Sequence, residues 1–250
     1  MGLVTELNNG TVTSEQLIAI YGERAATYGR KTCIITEDYF EYALKKAKEC
    51  DQERRSSKKC NWTFDDEWDM NRFFPPLFGI PISVKENIDM AGTRSTLGAT
   101  IRADKFQTED CATIKNFKLS GMIPFIKTNL PQLAFTYDSV NHLWGRTLNP
   151  WNHKKSAGGS SGGEGAAIAA RVSPVGIGND MAGSIRIPAA FNGVFGICPS
   201  ADRLPFNGQI WYCSPYEANT AQDSLDLTPL CAAMVLFHSP STVLPSGCET

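Results

Sequence analysis

"LFGIPISVK", Leu77–Lys85, is the stretch on which the fold turns. It is apolar and rich in β-formers, and it reads as a buried strand that ends at Lys85. The segment "DCATIKNFKLSG" (110–121) follows, with Ala112, Ile114, Phe117 and Leu119 on roughly one helical side and Gly121 as the C-cap. "MIPFIKT" (122–128) is a second short apolar strand. Strand, helix, strand predicts a βαβ unit, and therefore an α/β fold with a largely parallel central sheet flanked by helices.

Working outward, Thr13-Ser14-Glu15-Gln16 has the form of a capping box that opens a helix to about Tyr28. A second helix is expected from Asp38 to about Cys50, and "DQERRSSKK" after it reads as a charged, solvated connector. "NWTFDDEWDMNRFFPP" is acidic and aromatic, and Pro75-Pro76 stops any helix there. Further on, "EGAAIAARV" predicts a buried helix of small residues, and "PVGIG" another strand. "HSPSTVLPSGCET" loses all periodicity and reads as a loose tail. The organisation expected is a helical arm and connector over 1–72, a core over 73–236 and an irregular tail over 237–250.

Bulk composition excludes several functions. The chain has 250 residues, 42% of them hydrophobic and 20% charged, with a net charge of −2. No strong field of either sign results, which argues against a nucleic-acid partner. The eight cysteines are scattered and form no CxxC pair, so no metal site is expected. No secretory h-region opens the chain, and reduced thiols in an intracellular, cytoplasmic protein are the expectation. Glu6 stands where N-myristoylation wants Ser or Thr, and no apolar run is long enough to span a membrane.

Three places compete for the chemistry. "AGGSSGGEG" (157–165) is either a flexible linker or the mouth of a helix. Its Ser161-Gly162-Gly163-Glu164 has the form of a second capping box, with Ser161 as N-cap and Ser160 near the positive end of the helix dipole. The phosphate-loop pattern is absent. "GNDMAGSIR" (178–186) crowds small residues around Ser184, so that backbone N–H groups can converge as an oxyanion hole requires. The alternative there is a tight corner with Ser184 as a helix N-cap. Lys85 either pairs with Glu86 or Asp89, or is desolvated and becomes a base. "GGSSG" also matches the G-x-S-x-G nucleophile elbow of α/β-hydrolases, an esterase reading that needs His238 as its base.

Taken together, "PLFGIPISVKENI", "NPWNHKKSAGGSSGGEGAAIAA" and "GNDMAGSIRIPAAFNGVFGICPS" resemble the amidase signature family. The glutamate of "SGGEG" and the lead-in "NPWN" are similar to its fatty-acid-amide-hydrolase and acetamidase branch. The separations also match that branch: 75 residues from Lys85 to Ser160 and 24 from Ser160 to Ser184. The resemblance implies a Ser-cisSer-Lys triad, with Ser184 as nucleophile, Ser160 as the bridging serine and Lys85 as base. It implies an oxyanion hole from the N–H groups of Met181, Ala182, Gly183 and Ser184, supported by Asp180, Ser161 and Arg186. The activity implied is hydrolysis of a small-molecule carboxylic amide, with a fatty acid amide favoured, and no cofactor. A homodimer and a peripheral membrane contact stay open, and a non-catalytic remnant or interaction module is the alternative. The chain departs from the family at Ala182, where glycine is preferred, and at Asn179, where Thr or Ser is usual. Were residue 182 to need a positive φ, its Cβ would cost about 1 kcal/mol. The chain stops where the family's second half begins, so the resemblance implies an incomplete core.

Overall fold

The computed structural model describes residues 2–59, 61, 73–199, 203–204 and 208–209, and the backbone of 231–237. Most of the acidic aromatic stretch, His238 and the tail beyond it lie outside the described residues. In chain order the elements are α1 (Gly2–Asn8), α2 (Ser14–Arg24), β1 (Ile35–Asp38), α3 (Phe40–Ser56), β2 (Pro81–Lys85), α4 (Ala112–Leu119) and β3 (Ile123–Thr128). They continue with β4 (Val140–Asn141), β5 (Gly145–Arg146), α5 (Gly162–Ala169), β6 (Val175–Asp180), α6 (Arg186–Asn192), β7 (Phe195–Gly196) and β8 (Cys231–Phe237).

Six strands form one mixed sheet in the order β1-β3-β2-β6-β8-β7, and β4 pairs with β5 apart from it. The centre is parallel, as the βαβ pattern requires: β2 runs parallel to β3 (Pro81↔Ile123) and to β6 (Val84↔Ile177). The flanks are antiparallel, β1 to β3 and β8 to β6. Every residue of β2 and β3 is buried. Such depth explains why these strands read as apolar runs rather than as alternations.

An alternation is present in β2 nonetheless. Ile82 and Val84 pack with Ile88, Ile114 and Ile177. Ser83 and Lys85 point to the opposite face, toward α5 and the loop before it. This period of two delivers the lysine to the site.

The N-terminal arm follows the sequence in part. Thr13 caps α2 in a reciprocal box with Gln16. The helix becomes a π-turn at Ala25–Gly29. The expected connector at "DQERRS" is instead the last two turns of α3. The reason is Asp51, which is buried and accepts from the N–H of Ser14 (2.8 Å) and Glu15 (2.9 Å). A carboxylate at the first-turn N–H groups of α2, which have no partner within the helix, and at its positive dipole end offsets the burial of its charge. In α4, Ile114 is buried but Leu119 is 76% exposed, so Leu119 does not share the buried side expected for it. Gly121 (φ 88) follows the cap residue Ser120.

Candidate active site

Three chain segments meet beside α5. Lys85 ends β2 and is fully buried, as is Ser160. Lys85 Nζ lies 2.8 Å from Ser160 Oγ and 2.6 Å from Asn179 Oδ1, and makes a longer 3.5 Å contact to the Asn179 carbonyl. Neither Glu86 nor Asp89 pairs with it. Glu86 instead accepts from the N–H groups of Thr96 and Leu97. Burial drives the Lys85 amine down to about 7, against the opposing pull of Asp180, Glu164 and Glu86.

The glycine-rich loop is a packed wall and not a linker: residues 157–170 are buried throughout. Gly158 has φ 82, and a Cβ there would come within 2.8 Å of Pro188 Cα. The Gly159–Ser160 peptide is cis. Ser161 precedes α5 as its cap residue, but its side chain makes no capping bond. Its hydroxyl donates to the Asn179 carbonyl at 3.4 Å. The expected second capping box is therefore absent, because Glu164 has other partners. Glu164 is fully buried and accepts from Ser83 Oγ and Thr128 Oγ1, both at 2.6 Å. Burial raises it to about 7, despite those two bonds and the Lys85 charge.

Ser184 sits on the loop between β6 and α6, 7% exposed, and its carbonyl accepts from Ser161 N–H at 2.9 Å. That bond joins the two serine loops. Ser184 is not the N-cap of α6, a position held by Ile185. Asp180 organises the turn. Its carboxylate accepts from the N–H of Gly183 (2.6 Å), Ile185 (3.1 Å) and Arg186 (3.2 Å), and from the Arg186 guanidinium at 2.9 and 2.8 Å. Burial opposes the Asp180 charge, but the Arg186 and backbone donors outweigh it and hold the carboxyl at about 2. The Gly183 N–H, expected to face an oxyanion, is thus turned to Asp180. Gly183 carries the positive φ of the turn, 110°, and Ala182 has none. The strain anticipated at Ala182 is absent.

A depression of about 300 Å³ opens at Ser184, lined by Phe135, Tyr137, Met181 and Ala182 among others. A larger hollow of about 540 Å³ lies along α3 and contains none of these groups. His142 and His153 are both exposed. Lys127, a second fully buried lysine, is engaged elsewhere, with Ser95 Oγ (3.1 Å), Thr93 Oγ1 (3.3 Å) and the Arg94 carbonyl. Sequence reasoning missed Ser83, Asn87 and Gln209 as neighbours of the site. It noted Asn179 only as a departure from a pattern. Among the described residues no helix is long and apolar enough to cross a membrane, and no cluster of His, Cys, Asp and Glu could hold a metal ion.

The family model described as Amidase matches residues 16–223. The chain belongs to the Amidase family. The fatty-acid amide hydrolase 1 of Sus scrofa is 48% identical over 132 residues, 53% of this chain and 23% of that protein. The acetamidase of Aspergillus oryzae is 38% identical over 207 residues, 82% of this chain and 35% of that protein. A solved fatty acid amide hydrolase superposes with a TM-score of 0.80 at 27% identity, covering 95% of this chain and 38% of the other. The chain thus spans well under half the length of these Amidase relatives.

Proposed function

We propose that the chain hydrolyses a carboxylic amide through an acyl-enzyme on Ser184, with Ser160 as proton shuttle and Lys85 as base. The observation that carries this reading is the 2.8 Å approach of Lys85 Nζ to Ser160 Oγ in a fully buried setting. Desolvation makes the neutral amine accessible near pH 7. Neutral Lys85 takes the Ser160 proton, and Ser160 takes that of Ser184 as the Ser184 oxygen bonds to the carbonyl carbon. Charge builds on the carbonyl oxygen, toward which the N–H groups of Met181, Ala182 and Ser184 are the candidate donors. One such donor is worth about 2.7–4 kcal/mol. Collapse breaks the C–N bond, Ser160 protonates the departing nitrogen, and Lys85 returns its proton to Ser160 and is again the neutral amine. Water, deprotonated by the same relay, then cleaves the acyl ester, releases the acid and restores Ser184.

The apolar lining at Ser184, with Phe135 66% and Tyr137 55% exposed, favours an apolar acyl group, and a fatty acid amide is the preferred substrate. The fatty-acid amide hydrolases among the relatives named above support the same choice. A fluorophosphonate probe tests the nucleophile: peptide mapping is expected to find the adduct on Ser184. An adduct on Ser160 with Ser184 untouched would overturn the assignment.

A further inference from the structure

Asn179 presents a side-chain amide to the buried lysine, and both ends of that amide are engaged. Its Nδ2 donates to Asn87 Oδ1 and to Gln209 Oε1, each at 3.1 Å. Both partners are acceptors at that contact, so turning the Asn179 amide alone would set oxygen against oxygen at Asn87 and Gln209. Oδ1 is therefore held toward Lys85 Nζ, 2.6 Å away. All of this lies inside the protein, with Asn179 and Asn87 fully buried and Gln209 nearly so.

A proton inventory gives the consequence. A neutral amine has two hydrogens and one lone pair. Asn179 offers Nζ only acceptors, Oδ1 at 2.6 Å and its own carbonyl at 3.5 Å. Those two oxygens take the two hydrogens. The lone pair is left for the third neighbour, the Ser160 hydroxyl at 2.8 Å. The geometry points to Asn179 as a positioning residue for Lys85, one that aims the lone pair of the neutral amine at the Ser160 proton. This inference rests on the reading of Lys85 as base. It also gives the departure from Thr or Ser at this position a role, because an amide fixed at its nitrogen end supplies an oxygen whose direction is set, where a hydroxyl rotates.

Asn179 must also influence the protonation of Lys85, because a carbonyl oxygen binds an ammonium more strongly than an amine. The charged groups that act on Lys85 are Asp180 from β6, Glu164 from α5 and Glu86 just after β2. Against that fixed background, removing the Asn179 oxygen favours the neutral amine and lowers the titration midpoint. Placing a carboxylate there raises it.

The test uses the full chain labelled with 13Cε-lysine, with the Lys85 resonance assigned by its loss in Lys85→Arg. Asn179→Leu is expected to lower the Lys85 midpoint by about one pH unit, and Asn179→Asp to raise it by about as much or more. In amide hydrolysis, Asn179→Leu is expected to lose about 100-fold in kcat with KM little changed, since a misaimed base fails at the chemical step. Asn179→Thr, which keeps an oxygen acceptor, recovers most of that loss. Thermal melts of the three variants identify any that fail to fold. Midpoints unmoved in both Leu and Asp variants that remain folded overturn the inference, as does a Thr variant no better than Leu. Opposite shifts in a chain that hydrolyses no amide would retain the Asn179–Lys85 coupling and remove Lys85 as base.

Discussion

Ser83 Oγ donates to Glu164 Oε2 at 2.6 Å, two residues along β2 from Lys85 and on the same face of the strand. The bond binds α5 to the sheet and fixes a carboxyl group beside the buried amine. Burial pushes Lys85 down and Glu164 up, both to about 7, while each draws the other back toward its charged form. Activity that needs neutral Lys85 should therefore rise with pH through a midpoint near 7. In Glu164→Gln the charge that favours the ammonium is gone, so the midpoint moves to lower pH. Initial rates from pH 5 to 9 would check this, and an unmoved or raised midpoint would contradict the coupling.

The base itself is tested by contrast. Lys85→Ala should lower kcat/KM by about 10²–10⁴-fold, the usual range for a lost general base. Changing His142, His153 and His238 together to Gln should leave hydrolysis largely intact. If the histidine-free protein dies while Lys85→Ala survives, the Ser-His reading of "GGSSG" wins.

Asp180 should be the main anchor of the Ser184 turn. Asp180→Ala strands buried backbone N–H groups and releases Arg186, which should cost at least about 2 kcal/mol. Its linkage to pH has a definite sign. The folded carboxyl sits at about 2, below its ordinary value of 3.8. Its stabilisation is therefore complete above about pH 4 and is lost as pH falls through about 2. Acid titrations of wild type and Asp180→Ala should converge at the low end of that window. A constant gap between them would refute the assignment.

How much of this was legible in the sequence depended on how far each residue's partner lay along the chain. The βαβ unit was readable because the apolar runs of β2 and β3, and the helical spacing between them, are local signals. Lys85 and the two serine loops were readable from their motifs. Glu164 was misread, because S-x-x-E is a local pattern whereas its real partners, Ser83 and Thr128, lie 81 and 36 residues away. Asp51 was assigned to solvent for the same reason, since it caps a helix 37 residues upstream. β1 is short and ends in two acidic residues, so its pairing with β3 leaves no apolar signature. Asn179 stood out only by its departure from Thr or Ser, and three-dimensional contact was needed to show what the amide touches.

The turn "DMAGS" yields the last prediction, because the positive φ that would have made Ala182 costly falls on Gly183 instead. Gly183 takes φ 110, and a Cβ built on it would lie 2.8 Å from Ile187 Cδ1. Ala182 has no positive φ, so its Cβ strains nothing. Ala182→Gly relieves no clash. It adds freedom to the unfolded chain, which lowers stability by about 0.4–1 kcal/mol. It also loosens a donor that should be fixed before charge develops, so kcat should hold or fall. Gly183→Ala should do far more harm, because the residue meets both an unfavourable φ and Ile187. It would also disturb the N–H that Asp180 holds at 2.6 Å, and with it the setting of the adjacent Ser184. A loss of about tenfold or more in kcat, with a smaller change in KM, is the expected signature of a turn misaligned at the transition state. Side-by-side kinetics of the two variants decide the matter. A rate gain in Ala182→Gly would mean that the oxyanion donors need a backbone geometry this turn does not adopt.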